Sequence, residues 1–157
     1  MIRTKGRLRL CAVLLILNLA FIWGNSMMSA EISQAFSDWV KSLLTGLFSG
    51  EGDGIGGSGM LRKSAHFTEF SCLGILLTWL SGMMGERGLH LWAMPLFGGM
   101  AVACVDETIQ VFVPDRGPGL IDVLIDTCGA ASVMMLVLIG YHFIQKRKSK
   151  KILEETT

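Results

Sequence analysis

The chain has 157 residues, of which 51% are hydrophobic and 17% are charged. A soluble domain is usually about 25% charged, so this composition, with a mean hydropathy of +0.52, predicts an integral membrane protein. The net charge of +1 gives no overall positive field, and we expect no nucleic-acid partner. The length allows one domain and about four membrane spans of ~20 residues.

The N-terminus has a basic head over residues 1–9, followed by an apolar run from Leu10 that can extend to Met28. A basic head, an apolar middle and small residues beyond it also describe a signal peptide. Met28 stands where cleavage needs a small residue, so the sequence favours a retained first span. The predicted regions are 1–9 as a cytoplasmic head, 10–143 as a four-span membrane domain and 144–157 as a basic, polar cytoplasmic tail.

The next segment, residues 31–48, predicts an amphipathic helix. Its apolar residues, from Ile32 to Phe48, recur at the spacing of one helix face, and its polar residues lie mostly on the other side. Such a helix fits one that lies in the membrane interface, with Trp39 and Phe48 as anchors. A helix packed on the tops of the spans is compatible with the same pattern. A glycine-rich loop follows over residues 49–59.

Three further apolar runs predict spans over residues 65–84, 91–113 and 120–143. A short loop at 85–90 and a tight turn at 114–119, rich in glycine and proline, connect them. The predicted fold class is therefore all-α. We expect an integral membrane four-helix bundle with an extracytoplasmic amphipathic helix between spans one and two.

The predicted spans contain carboxylates, although a charge near the bilayer centre costs at least ~2.5–3.5 kcal/mol. Glu69 lies in the second span, Asp106 in the third and Asp126 in the fourth. At a rise of about 1.5 Å per residue, all three lie ~9–12 Å below the helix ends on one side of the membrane. Three separate stretches of sequence thus predict a single polar layer.

The distribution of lysine and arginine predicts the orientation of the bundle. With four spans, both termini and the 85–90 loop share one side, which holds ten of the fourteen basic residues. We therefore expect both termini in the cytoplasm and a pocket open to the outer surface, walled by spans two, three and four. Arg62, Lys63 and Arg116 are expected at its rim. The predicted binding residues are Arg62, Lys63, His66, Glu69, Asp106, Glu107, Gln110, Arg116, Asp122 and Asp126.

Two blocks of this sequence resemble the VanZ-like family of membrane proteins. Residues 62–70, RKSAHFTEF, followed by Leu73-Gly74, resemble the family signature RKxAHFxEY..LG. Residues 106–129 resemble its second signature, DExxQxFxPxR…DVxxxTxG. Three positions depart from the pattern. Ile109 stands where many relatives have histidine, Asp115 stands where glycine often precedes the arginine, and Gly119 occupies a loop position that is often polar.

The resemblance covers roughly residues 8–143. It implies a small multi-span protein of the cell envelope, of a family common in Gram-positive bacteria. The family's namesake is associated with low-level antibiotic resistance, directed at the glycopeptide teicoplanin. No settled biochemical activity comes with the family name.

The favoured function is a binding pocket for an amphiphile, because basic residues at a rim suit an anionic headgroup. The expected partners are the lipid bilayer and a lipid, a lipid-linked cell-wall intermediate or a lipoglycopeptide. A structural role for the charges, as ion pairs between helix ends, and a role in transport stay open as alternatives.

The remaining alternative is a metal-dependent hydrolase or transferase acting on a lipid-linked phosphate. The candidate catalytic residues are His66, Glu69, Asp106 and Glu107. The candidate ligands of a divalent cation, Mg²⁺ or Mn²⁺, are Asp106, Glu107, Asp122 and Asp126. The sequence contains no GxSxG or comparable nucleophile motif, so whether the protein is an enzyme stays open.

Overall fold

In a computed structural model, which describes residues 2–47, 58–85, 89–117 and 119–155, the described chain consists of α-helices and their connections, with no strand. The helices are α1 (Ile2–Ser26), α2 (Ala30–Leu47), α3 (Ser58–Met83), α4 (Leu89–Val111) and α5 (Leu120–Glu155). The predicted all-α class is confirmed. Each predicted span, and the amphipathic segment, coincides with one helix. Residues 49–57 of the predicted glycine-rich loop lie outside the described residues.

Three helices are longer than the spans predicted from hydropathy. α1 begins at Ile2, within the predicted basic head. α3 begins at Ser58, before the predicted start at residue 65, so Arg62 and Lys63 lie in its first turns. α5 continues to Glu155 through most of the predicted tail. No glycine or proline occurs between residues 144 and 155, and the lysine, arginine and glutamate of this stretch are good helix formers.

Two helices are long and apolar enough to cross a membrane, within the residues that the structure describes. They are the Lys5–Ser26 portion of α1 and the Leu120–Ile144 portion of α5. α3 and α4, which carry His66, Glu69, Asp106 and other polar residues, do not meet the same test of length and hydropathy over the described residues. Length and composition therefore identify α1 and α5 as candidate spans.

The outer surface of the helices is apolar, and the buried residues include many polar ones. Large apolar side chains on α1, α4 and α5 are 60% or more exposed: Ile16, Phe21, Phe97, Leu124 and Leu136. Soluble monomers rarely expose contiguous apolar patches larger than a few hundred Å². This distribution is typical of a protein surrounded by lipid.

α2 also exposes apolar side chains and buries polar ones. Ile32, Phe36 and Trp39 are exposed on one stripe, and the rings of Phe36 and Trp39 stack with their centroids 5.9 Å apart. Ser33 and Ser37 are buried, and α2 packs against α3. The apolar stripe of α2 thus faces away from the protein, as expected for a helix at a membrane interface.

Small residues allow α3, α4 and α5 to pack closely. A Cβ atom added at Gly74 of α3 would overlap the carbonyl group of Ala130, and one at Gly129 of α5 would lie 2.6 Å from the Phe67 carbonyl oxygen. A Cβ atom at Gly99 of α4 would lie 2.9 Å from the Ala130 Cβ. Small residues let helix backbones approach in this way. The close approach brings the polar residues of three helices together.

α1 packs against α3 and α4. Its Ile22 is fully buried in the apolar core, which also contains Phe70, Leu73 and Ala103. The first helix is therefore part of the folded bundle. Its C-terminal end lies beside the polar residues of the other helices.

Candidate functional site

The polar residues meet where α1 and α4 end and where α3 and α5 begin. Connected or neighbouring side chains from these four helices and the turn before α5 form what we call the polar cluster. Its members are Asn25, Ser26, Arg62, His66, Glu69, Asp106, Glu107, Gln110, Arg116 and Asp126. Most of them are buried.

Asp106 is held at the centre of the polar cluster by hydrogen bonds to both of its oxygens. The Ser26 hydroxyl of α1 donates to Oδ1 at 2.6 Å. The Gln110 amide, one turn along α4, donates to Oδ2 at 3.0 Å. Because each oxygen has a donor, the orientation of this carboxylate is fixed by its neighbours.

His66 lies close to two carboxylates without a hydrogen bond to either. Its Nδ1 atom is 3.9 Å from Asp106 Oδ2 and 4.0 Å from Asp126 Oδ1. His66 is 7% exposed and Asp126 is 1% exposed, yet both ring nitrogens and both Asp126 oxygens lack a hydrogen-bond partner. A buried polar group left unsatisfied costs about 1–3 kcal/mol. The group is therefore suited to receiving an ion, a water molecule or part of a ligand.

Glu69 extends the polar cluster toward α1. The Asn25 side-chain amide donates to Glu69 Oε1 at 2.9 Å, and the other carboxylate oxygen, Oε2, has no partner. His66 and Glu69 lie on one face of α3, as their spacing predicts. Both residues are buried, so this face is directed into the bundle.

Glu107 has a local structural role. Its Oε2 atom accepts a hydrogen bond from the Gly119 backbone N–H at 2.9 Å, and its Oε1 accepts one from the Gln110 amide at 3.1 Å. Gly119 immediately precedes α5. Glu107 therefore connects the end of α4 to the start of α5 through hydrogen bonds.

Arg116 is turned into the bundle by the connection between α4 and α5. The Arg116 N–H donates to the Val113 carbonyl at 3.3 Å, and Asp115 has a φ of +60°. Proline followed by a residue with positive φ at the central positions is typical of a type II turn. Glycine is favoured at such a position, which gives a physical reason for the glycine that often stands where this chain has Asp115.

The structure buries Arg116, whereas the sequence led us to expect it at the rim. The side chain is 7% exposed. One guanidinium nitrogen, NH2, donates to the Asn25 carbonyl at 3.1 Å, while Nε and NH1 have no partner. Burial lowers the pKa of Arg116, and the positive charge of Arg62 acts in the same direction. The unpartnered N–H groups of the buried Arg116 guanidinium favour an anionic partner.

The mouth of the polar cluster is formed by Arg62, Lys63 and Asp122. Lys63 Nζ lies 3.8 Å from Asp122 Oδ1, and these side chains are 56% and 26% exposed. Arg62 donates to Gln110 Oε1 at 3.4 Å. The cavity beneath them measures about 10 Å³ and is lined by Arg62, Lys63, His66, Glu107, Asp122, Ile125 and Asp126. This volume admits about one water molecule.

The ten residues predicted to form the pocket lie at one end of the bundle, but they do not form one group. His66, Asp106 and Asp126 converge, whereas Glu107 is bound to the turn and Asp122 to Lys63. Sequence reasoning missed Asn25 and Ser26 and assigned the walls to three spans only. The signal available was a polar pair at the C-terminal end of the first apolar run, which lies at the end of the bundle where the other helices carry their polar residues.

These features define a class: an all-helical protein of membrane type, with a buried cluster of ionisable residues at one end of its helices. A model of the VanZ/LLP1 family matches residues 10–141, and the chain belongs to this family. The resemblance drawn from the two signature blocks is thereby confirmed. Comparisons with curated proteins and with solved structures give no significant match.

Proposed function

We propose that this VanZ/LLP1 protein crosses the cell membrane four times, through α1, α3, α4 and α5, with both termini in the cytoplasm. The exposed apolar surface of the helices and the excess of lysine and arginine at the opposite end from the polar cluster support this topology. α2 then lies in the outer interface. α1 stays attached as the first span, since Asn25 and Ser26 supply hydrogen bonds to the polar cluster.

The proposed topology can be tested by thiol labelling of intact cells. All four native cysteines are replaced by alanine, and a single cysteine is placed at Met60 or at Lys146. Met60 is exposed in the first turn of α3, and Lys146 is exposed near the other end of α5. We expect an impermeant reagent to label Met60→Cys in intact cells and Lys146→Cys only after lysis. The reverse pattern would put the polar cluster on the cytoplasmic side.

We infer that the polar cluster binds the anionic headgroup of an amphiphile that enters from the outer leaflet. The observation that carries this proposal is the set of unpartnered nitrogen atoms on buried Arg116 and His66, beneath a mouth that carries Arg62 and Lys63. Guanidinium groups bind phosphate and carboxylate groups in defined geometry. A lipid-linked envelope intermediate or a lipoglycopeptide has both the anionic group and the apolar tail, and its binding would contribute to glycopeptide tolerance.

A headgroup needs more room than the cavity offers, so the mouth must open. The contact that closes it is the exposed pair of Lys63 and Asp122. Exposed ion pairs contribute only about 0–1 kcal/mol, so separating these side chains costs little. Binding is therefore expected to move Lys63 and Asp122 and to leave the packed helices in place.

The structure disfavours ion pairing as the purpose of these charges. Among the side chains that the structure describes, Lys63–Asp122 is the single contact within 4 Å between a lysine or arginine and a carboxylate. It lies at the mouth and is largely exposed. Charges that served to join the helix ends would be expected to pair inside the bundle.

Binding can be measured with the full chain in nanodiscs of phosphatidylcholine, using a polyprenyl phosphate and teicoplanin as separate probes. We expect saturable binding of at least one probe, weakened about tenfold by Arg62→Gln, because hydrogen bonds to charged groups are worth about 1.5–3 kcal/mol. Arg147→Gln, an exposed arginine near the far end of α5, is the matched control and should leave affinity unchanged. Binding that is absent for both probes, or equal in the two variants, contradicts the proposal.

A second candidate function is metal-dependent hydrolysis or transfer on a lipid-linked phosphate, which the position of His66 between two carboxylates favours. In the hydrolytic case, the oxygen of water attacks phosphorus and the bond from phosphorus to the lipid oxygen breaks. Polyprenol and inorganic phosphate are the products. Release of phosphate by the wild type in the presence of Mn²⁺, and its loss in His66→Gln, would support this candidate over binding alone.

A further inference from the structure

We propose that His66, Asp106 and Asp126 bind one divalent transition-metal ion. α3, α4 and α5 each supply one of these residues. One ligand atom from each residue can be chosen so that all three atoms lie within 4.8 Å of one another. The inference goes beyond headgroup binding and does not depend on it.

The spacing of these atoms suits a shared ion better than direct contacts. The Nδ1 atom of His66 is 3.9 Å from one carboxylate oxygen and 4.0 Å from the other, beyond the range of a hydrogen bond. Two ligand atoms that each lie ~2.1 Å from a common ion are ~3 Å apart when they occupy adjacent positions and ~4.2 Å apart when they lie on opposite sides of the ion. The two measured distances fall within that range.

The unpartnered atoms are a second, independent observation. His66 and Asp126 are both more than nine-tenths buried. The two ring nitrogens of His66 and the two carboxylate oxygens of Asp126 have no hydrogen-bond partner. An ion bound between them would satisfy His66 Nδ1 and one oxygen of Asp126. Asp106 already has the arrangement of a supported ligand, since Ser26 and Gln110 fix its orientation.

The balance of charge also favours a cation. Four carboxyl groups in the polar cluster are buried, and one guanidinium group, that of Arg116, is buried with them. An isolated buried charge is strongly unfavourable unless it is paired or coordinates a metal. The small cavity reaches His66 and Asp126 from the mouth, which provides a route for an ion that loses its bound water as it enters.

The donor set indicates the kind of ion. Imidazole suits Zn²⁺ and Fe²⁺, and carboxylates suit Mn²⁺ and Mg²⁺. One imidazole with two carboxylates favours Zn²⁺ or Mn²⁺ over Mg²⁺, which prefers oxygen ligands and water. The ligand set differs from the one inferred from sequence: His66 replaces Glu107 and Asp122, whose oxygens are engaged by Gly119 and Lys63.

The test uses the full chain, purified in detergent, stripped with EDTA and titrated with Zn²⁺, Mn²⁺ and Mg²⁺ separately. We expect one Zn²⁺ or Mn²⁺ per chain by elemental mass spectrometry, and a rise in Tm on binding. His66→Gln and Asp126→Asn should weaken calorimetric affinity more than about tenfold. Asp38→Asn, an exposed carboxylate on α2 outside the polar cluster, is the matched control and should retain wild-type affinity.

Ser26→Ala keeps all three ligands and removes one hydrogen bond to Asp106, so it extends the test should a ligand variant fail to fold. We expect it to bind the metal about tenfold more weakly. The proposal is overturned if neither Zn²⁺ nor Mn²⁺ binds stoichiometrically to the wild type, or if Asp38→Asn loses as much affinity as Asp126→Asn. Headgroup binding measured with and without EDTA separates failure of this site from failure of the binding proposal.

Discussion

Four acidic residues at the same end of the bundle form two groups: an outer layer of Glu107 and Asp122, and an inner layer of Asp106 and Asp126. In the outer layer, Glu107 binds the Gly119 N–H and Asp122 pairs with Lys63. In the inner layer, Asp106 is held by two donors and Asp126 has none, with His66 beside both. The same residue types thus serve the connection between helices in one layer and are available for a ligand in the other. The two roles differ in the hydrogen-bonding and ion-pairing partners that each carboxylate has, since the residue types are the same.

The largest effect is expected from forcing α3 and α5 apart, which would disrupt both layers. Gly74→Ala places a Cβ on the Ala130 carbonyl and should destabilise the protein by about 1–3 kcal/mol. Gly82→Ala, on the same helix with open space around it, should stabilise by about 0.5–1 kcal/mol. Thermal unfolding of the two variants in one detergent measures the difference. A shift of the same sign in both would contradict the proposed backbone contact.

The inner and outer layers can be compared directly with alanine substitutions. Asp106→Ala leaves the Ser26 hydroxyl and one donor of Gln110 without their acceptor inside the bundle, and should cost about 1–3 kcal/mol. Asp122→Ala removes a largely exposed ion pair and should cost less than about 1 kcal/mol. Unfolding by denaturant, monitored by circular dichroism, gives both values. Equal losses in the free energy of unfolding would show that the two layers contribute equally to stability.

The smallest effect is expected in the turn that directs Arg116 inward. Asp115 has a left-handed backbone conformation, so Asp115→Gly should be neutral or stabilise by up to about 1 kcal/mol. Asp115→Val should destabilise by about 1–2 kcal/mol, because a β-branched residue is strained there. The Tm of the two variants measures the effect. A Tm for Asp115→Val at or above that of the wild type would exclude the left-handed turn.

Hydropathy and charge patterning predicted most of the helices and located the polar cluster. The periodicity of residues 31–48 and the alignment of Gly99, Ala103, Asp106 and Gln110 on one stripe depend on local geometry, which a sequence contains. Ala103, Asp106 and Gln110 are indeed all buried, and Gly99 contacts Ala130. The shared depth of Glu69, Asp106 and Asp126 followed from helix rise alone.

The remaining details depend on contacts between distant segments. Nothing local to Asn25 and Ser26 shows that α1 packs against α3 and α4, so their hydrogen bonds to Glu69 and Asp106 could not be derived. Arg116 was expected at the rim because basic residues near a helix end usually remain in solvent. Its burial accompanies a left-handed backbone conformation at the preceding residue, Asp115, which composition does not specify.

The outward stripe of α2 has a consequence for how the protein would respond to the lipid around it. In the proposed orientation, the exposed side chains Ile32, Phe36 and Trp39 would hold this helix at the headgroup level and would set the height of the outer end of the bundle relative to the lipid phosphates. Bilayers of different thickness would then be accommodated by tilting or stretching at the cytoplasmic ends of the spans. α2 would thereby keep His66 and its neighbours at a constant depth relative to the lipid headgroups that they are proposed to bind.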